Sequence, residues 1–228
     1  MARKKLPPRG PRLELANGVL AVAFTNTAGA KPDNAQQGIE SYDDLLTWGQ
    51  QTGLLQANAA ERLRRRADDE PKAAATVVVR ARRLRAALVR LFNAAILRKE
   101  MPADSLQVVN DVLPEALPNL RLVPGADGLT CGWAGDEEAL DRVLWPVVHS
   151  AADLFLSPGG RNVRQCAAQG CLTYFVDRPG SRRKWCEKAC GNRVRALEYY
   201  YRRGRAEREQ KNRGTGLWRV RRPREKKT

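Results

Sequence analysis

Four cysteines fall inside one 25-residue window, Cys166, Cys171, Cys186 and Cys190, spaced C-x4-C-x14-C-x3-C. Two close thiol pairs separated by a hairpin-length insert suit a tetrahedral Zn²⁺. Each pair reaches one edge of the ion, and the insert returns the chain to the other edge. A thiolate quartet fills every coordination position and leaves none for water or substrate, so one structural ion is expected rather than a catalytic one. A fifth cysteine, Cys131, is left over and is read as a partly buried thiol. An odd count in a reducing compartment favours metal ligation over disulfides.

The charge is distributed unevenly. The net charge is +16, yet residues 1–12 contribute +5, residues 13–160 contribute −4 and residues 161–228 contribute +15. A mildly acidic N-terminal part is therefore joined to an intensely basic cysteine-bearing part, which points to a polyanion partner for the C-terminal part alone. Arginine supplies 31 of the 41 basic residues. Its planar fork matches phosphate and guanine edges. No run approaches a membrane span, and the basic N-terminus lacks the apolar region that follows in a signal peptide. The expected location is cytoplasmic and nucleoid-associated, with no membrane partner. The sequence holds no HExxH, no phosphate-cradling glycine loop and only one histidine, His149, so an enzyme is not expected. The histidine lies among core positions and is read as a packing residue.

Periodicity indicates a mainly α-helical N-terminal domain with one small β-hairpin, over residues 13–157. Residues 1–12 read as a disordered basic arm, followed by a helix from about Gly18. Ser41-Tyr42-Asp43-Asp44 has the form of a capping box opening a helix through Leu45, Leu46 and Trp48. A further helix is expected over residues 58–68. The longest begins near Pro71 and carries Val77, Ala81, Leu84, Leu88, Leu91 and Ala95 at steps of four and three. Its other face bears Arg80, Arg82, Arg83, Arg85 and Arg90, read as a solvated helix side, and Met101-Pro102 should stop it. A short helix over 104–112, a β-hairpin over 120–133 and an apolar helix from Asp136 complete the domain. Pro146 should kink that last helix.

After a boundary at Ser157-Pro158-Gly159-Gly160, residues 161–210 are expected to form a small treble-clef-like zinc finger ending in a basic helix. The strand-like Thr173 to Val176 should turn at residues 178–181 and return through Arg182 to Trp185 as a zinc-knuckle hairpin. A helix should then bring both Cys186 and Cys190 to the metal from its first turn. Along that helix Arg195, Tyr199, Arg202 and Arg203 share one arc, taking about 100° per residue. Arginines interleaved with an aromatic on a metal-pinned helix have the form of a nucleic-acid-reading element. Gly204 either ends or merely weakens the helix. Residues 211–228 read as a flexible basic tail.

These segments resemble a known family. Cys166-x4-Cys171, Phe175-Val176-Asp177, Arg182-Arg183-Lys184-Trp185-Cys186 and Cys190-Gly191-Asn192-Arg193 look like the CGNR zinc finger. Upstream, Phe24-Thr25-Asn26-Thr27 and residues 42–55, with Trp48 and Gly53, are similar to the ABATE domain that usually precedes it. The resemblance spans about residues 13–203 and implies a bacterial transcription regulator of the stress response. It implies zinc on the four cysteines named and makes Asn192 and Arg193 motif residues. Many members place four residues between the last two cysteines. This chain has three, Glu187-Lys188-Ala189, which changes the entry to the helix. The expectation is thus a zinc-finger DNA-binding regulator with an N-terminal sensing or assembly domain. Arg182, Arg183, Asn192, Arg193, Arg195, Tyr199, Arg202 and Arg203 are the expected nucleic-acid contacts. Duplex DNA is favoured over RNA; an RNA-binding or ribosome-associated zinc protein is the alternative. The reading leaves room for a homodimer and for an unidentified small ligand of the N-terminal domain.

Overall fold

The computed structural model of the chain describes residues 19–28, 38–125, 128–157, 160, 162–177 and 180–214. The arm over 1–12, most of the loop over 31–40, Pro158-Gly159, Arg178-Pro179 and the tail beyond Gly214 lie outside the described residues. So do the side chains of residues 211–214. The chain divides into two compact units between Cys186 and Glu187.

In the first unit, short-range sequence signals set the helix ends. The first helix, α1, is Leu20–Thr25. Ser41 caps α2, Tyr42–Gln51, by a reciprocal box. Its hydroxyl accepts from Asp44 N–H at 3.1 Å, while the Asp44 carboxylate accepts from Ser41 N–H at 2.8 Å and Glu40 N–H at 3.0 Å. Burial pushes the Asp44 carboxyl up, but those hydrogen bonds and Arg82 outweigh it and hold it below the ordinary value. Gly53, at φ +77°, takes the left-handed turn that leads out of α2. Then α3, Ala57–Asp69, precedes the 27-residue α4, Pro71–Leu97, which opens on its proline as expected.

The core forms around α4. Its buried positions, Val77, Ala81, Leu84, Leu88, Leu91 and Phe92 among them, make one stripe against α1, α2, α5 and α6. Phe24 meets Trp48 edge-on at 5.2 Å, and Phe92 lies between Phe155 at 5.4 Å and Tyr174 at 5.7 Å. On the outer side Arg80, Arg82 and Arg90 pair with Glu115, Glu40 and Asp104. Such exposed pairs contribute about 0–1 kcal/mol each, so they tidy the surface rather than hold the fold.

Three helix ends differ from the sequence expectation. α4 stops at Leu97, not at Met101-Pro102, because Arg98 adopts a left-handed conformation at φ 52°. Arg98 N–H then donates to Ala95 O at 3.3 Å and Lys99 N–H to Ala94 O at 2.9 Å, which satisfies the last carbonyls. α5 runs Ala103–Ala116, past Val112 and through Pro114. That proline sits in the last turn, where a single lost hydrogen bond is tolerated before a 3-10 turn over Leu117–Asn119 takes over. α6 is Leu144–Leu156. The residues from Asp136 before it form tight turns instead, such as Leu144 N–H to Asp141 O at 2.8 Å. Pro146 therefore falls in the first turn, where its missing N–H has no partner to lose, and the expected kink has no cause.

The β-hairpin appears as expected, β1 Leu120–Gly125 against β2 Gly128–Trp133, with Leu122 opposite Cys131. Cys131 is exposed rather than partly buried, because the outer part of the hairpin lacks a covering layer among the described residues. His149 packs edge-on against Trp133 at 5.8 Å, with Nδ1 3.3 Å from the Asp153 carboxylate, consistent with a packing role.

A second, smaller hairpin joins the same core. β3, Val163–Gln165, pairs antiparallel with β4, Tyr174–Val176, and Val163 and Tyr174 are buried with the helices. Asn26 fixes this arrangement. Its side-chain amide donates to Tyr174 O at 3.0 Å and its carbonyl accepts from Tyr174 N–H at 2.8 Å, so one buried amide imitates a neighbouring strand. The Tyr174 hydroxyl donates to Asn93 Oδ1 on α4 at 2.8 Å. Removing the amide would orphan two buried backbone groups, each costing about 1–3 kcal/mol. Asn26→Ala is therefore expected to lower unfolding stability by about 2–4 kcal/mol in urea denaturation. A loss under about 0.5 kcal/mol would show that water replaces those bonds.

Candidate metal centre and basic helix

The loop of the β3–β4 hairpin carries the first thiol pair. Cys166 directly follows β3, and its N–H donates to Thr173 O at 2.9 Å, which extends the ladder by one rung. The loop reverses tightly, with Cys171 N–H donating to Ala168 O at 3.0 Å and Gly170 at φ +76°. This pairing corrects the expected topology. β4 does not pair with residues 182–185; its partner is β3, and the Cys166–Cys171 loop is the knuckle. Residues 182–185 run beside the knuckle as irregular chain instead, held by Ala167 N–H to Lys184 O at 2.9 Å.

That strand-free run delivers the third sulfur. Cys186 N–H donates to the Cys166 sulfur at 3.4 Å, and the Cys171 and Cys186 sulfurs lie 3.8 Å apart. The sulfurs of Cys166, Cys171, Cys186 and Cys190 all lie within 4.8 Å of one another. A tetrahedron with Zn–S bonds of about 2.3 Å has S···S edges of about 3.8 Å. A disulfide would need about 2.05 Å, and none of the four forms one. The donor set is all sulfur, and three of the four residues are buried with Cys186 intermediate. These residues fit one structural zinc ion, which when bound supplies a dication to balance thiolates otherwise too close to coexist. Burial pushes the Cys171 thiol up, but hydrogen bonds with Thr173, Cys166 and Cys186 outweigh it. Its pKa lies below the ordinary value, toward the ligating thiolate.

Cys186 itself precedes the helix. α7 begins at Lys188, so Cys190 is its third residue, and the expected joint presentation of both thiols from one helical turn does not occur. The short x3 spacing is spanned by one non-helical step and the start of α7. The helix then continues to Gly214, straight through Gly204.

The expected nucleic-acid contacts separate into two groups. Asn192, Arg195, Tyr199, Arg202 and Arg203 are exposed on α7 and, at 100° per residue, share one face. Arg195 Nη2 donates to Asn192 Oδ1 at 2.7 Å, and Arg203 Nε lies 3.3 Å from Glu207. Tyr199 is 63% exposed. Arg182 is exposed in the loop before Cys186. Arg183 is different: its guanidinium lies over the Phe175 ring at 4.8 Å and its Nε donates to Trp185 O at 2.7 Å. Arg193 is half-buried, with Nη2 shielded from solvent. These two arginines are built into the finger.

Sequence reasoning missed Thr173, Asn26 and Asp177. Thr173 supplies a hydroxyl 3.3 Å from the Cys171 sulfur. Asp177 is buried and faces Arg164 Nε at 3.2 Å. The only available signal was that Asn26 and Asp177 each fall within a stretch of family-like sequence; neither residue type announces a role by itself.

Comparison with protein families agrees with the geometry. Residues 18–158 match the ABATE model, described as a "putative stress-induced transcription regulator". Residues 162–203 match the CGNR zinc finger. No curated protein matches the chain closely enough to name a relative.

Cys171→Ser is expected to abolish the ion, so that elemental analysis falls from one zinc per chain to none. Structural zinc contributes about 10–16 kcal/mol of apparent binding free energy in comparable peptides. Residues 180–203 should become protease-sensitive, whereas β3–β4, sharing the helical core, should stay protected. Unchanged protection of residues 180–203 in metal-free protein would contradict this.

Proposed function

The chain belongs to the ABATE family and carries a CGNR zinc finger, and from this we propose that it is a regulator that binds duplex DNA through α7. The observation carrying this reading is the face formed by Asn192, Arg195, Tyr199, Arg202 and Arg203, which is exposed throughout, with Arg203 paired to Glu207 at its edge. A helix with its side chains is about 10–12 Å across, and the major groove is about 12 Å wide. Arginine and asparagine are the side chains that pair bidentately with guanine and adenine edges. Cys166, Cys171, Cys186 and Cys190 would hold the zinc that fixes where this helix begins. The helical domain would sense a signal or mediate assembly, and DNA binding would place the protein at the nucleoid.

A second reading rests on a specific feature. Tyr199, Tyr200 and Tyr201 are 63%, 74% and 72% exposed, and aromatic rings at such exposure can stack on unpaired bases in RNA. Three consecutive residues point in three directions around a helix, however, so only one of these rings can share the arginine face. Duplex DNA is therefore the preferred target. Competition between duplex DNA and structured RNA at matched salt separates the two.

If the helix and tail engage about six phosphates, log affinity should fall with log salt at a slope near −5. Arg195→Ala combined with Arg202→Ala should weaken binding several-fold without releasing zinc, as read by fluorescence anisotropy and metal analysis. Duplex affinity indifferent to salt, or unmoved by the double substitution, would sink the proposal.

A further inference from the structure

A groove of about 660 Å³ lies in the helical unit, where the start of α2 faces the end of α3 and the first half of α4. Small-ligand sites are commonly about 300–1,000 Å³. On the α3 and α4 side the lining is Ala67, Pro71, Ala74, Ala75, Val78 and Val79, and Tyr42 joins it from α2. Val79 is 55% exposed. Ala74 and Val78 belong to the core, whereas Pro71, Ala75 and Val79, one helical turn apart, are exposed and present an apolar strip to a ligand.

The charges around this strip favour one sign. Both guanidinium groups on the rim are engaged by the protein. Arg64 donates to the Asp43 carboxylate at 2.6 Å and to Gln50 Oε1 at 3.2 Å. Arg82 donates to Ile39 O at 3.0 Å, to Glu40 O at 3.2 Å and to the Glu40 carboxylate. Asp68, also in the lining, makes no hydrogen bond or ion pair among the described residues. The lining thus holds three carboxylates, Glu40, Asp43 and Asp68, against two guanidinium groups, and Asp68 is exposed.

We propose that this groove binds a small amphipathic cation, with an alkyl or aryl body on the alanine–valine strip and a protonated or quaternary amine at Asp68. The match is one of shape and sign together: apolar contact supplies the affinity, and the unengaged carboxylate selects against anions and neutral analogues. Residues 13–160 carry −4, so substitutions at Val79 and Asp68, rather than the overall charge, separate a local site from general attraction. This inference is independent of the nucleic-acid reading and gives the helical domain a class of signal.

The test is calorimetric titration of the full, zinc-loaded chain with decyltrimethylammonium below its micelle concentration. One saturable site is expected. Val79→Trp, at an exposed position that the fold tolerates, fills the groove and should weaken binding by roughly tenfold through loss of apolar contact. Asp68→Asn should weaken it about two- to fivefold, as suits an exposed ion pair. Decyl sulfate should bind without regard to either substitution, through the basic surfaces elsewhere. No saturable site for the cation, or a site unmoved by Val79→Trp, would overturn the proposal. So would a decyl sulfate site that Val79→Trp removes equally.

Discussion

Four sulfur atoms crowded within 4.8 Å are the constraint on which residues 180–190 depend. As thiolates they repel one another at this distance, and only a dication at their centre makes the arrangement stable. The segment beyond β4 buries little that could replace that ion. Residues 182–186 have no regular structure, and α7 from Asn192 onward buries no side chain fully among the described residues. Metal coordination does for this part of the chain what apolar burial around α4 does for the rest. A zinc ion with four thiolates carries about −2, small against the +15 of residues 161–228, so the centre does not reverse the sign of its surroundings.

The two arginine-rich helices show how context decides what charge does. On α4, Arg80, Arg82 and Arg90 each meet a carboxylate supplied from elsewhere in the acidic N-terminal part. On α7 the acids are local, Glu207 and Glu209, and they answer Arg203 and Arg205 one helical turn away. Asn192, Arg195, Tyr199 and Arg202 share an exposed arc of about 80°, with Glu198 just beside it. Composition alone does not distinguish these helices; the partition of acids along the chain does.

Much of the fold was legible because local chemistry decided it. The Ser41 box, Pro71 at the first position of α4 and the apolar steps from Val77 to Leu91 each name their own structure, as does the cysteine spacing. What was not legible depended on partners distant in sequence. Pairing of β3 with β4, rather than of β4 with residues 182–185, follows from Val163 and Tyr174 finding a place in the helical core, and no short window contains that fact. Pro146 was misjudged because its effect depends on where the helix starts, and the tight turns before Leu144 move that start. The left-handed Arg98 broke a residue preference that would have suggested glycine or asparagine. At the candidate site, the sequence located the four thiols. It did not reveal that Arg183 stacks on Phe175, or that Asn26 reaches across 148 positions to Tyr174.

That long reach by Asn26 bears on how the ion is acquired and lost. Because the amide and the ladder hold the knuckle from the helical side, Cys166 and Cys171 are already positioned before any metal arrives. Incoming zinc meets a ready bidentate claw, and the ordering cost of capture is confined to the strand-free run that brings up the remaining ligands. Release should proceed in the opposite sense. Cys186 is the least buried of the four residues, so a competing chelator or oxidant reaches the centre there first and peels the ion from its loose edge.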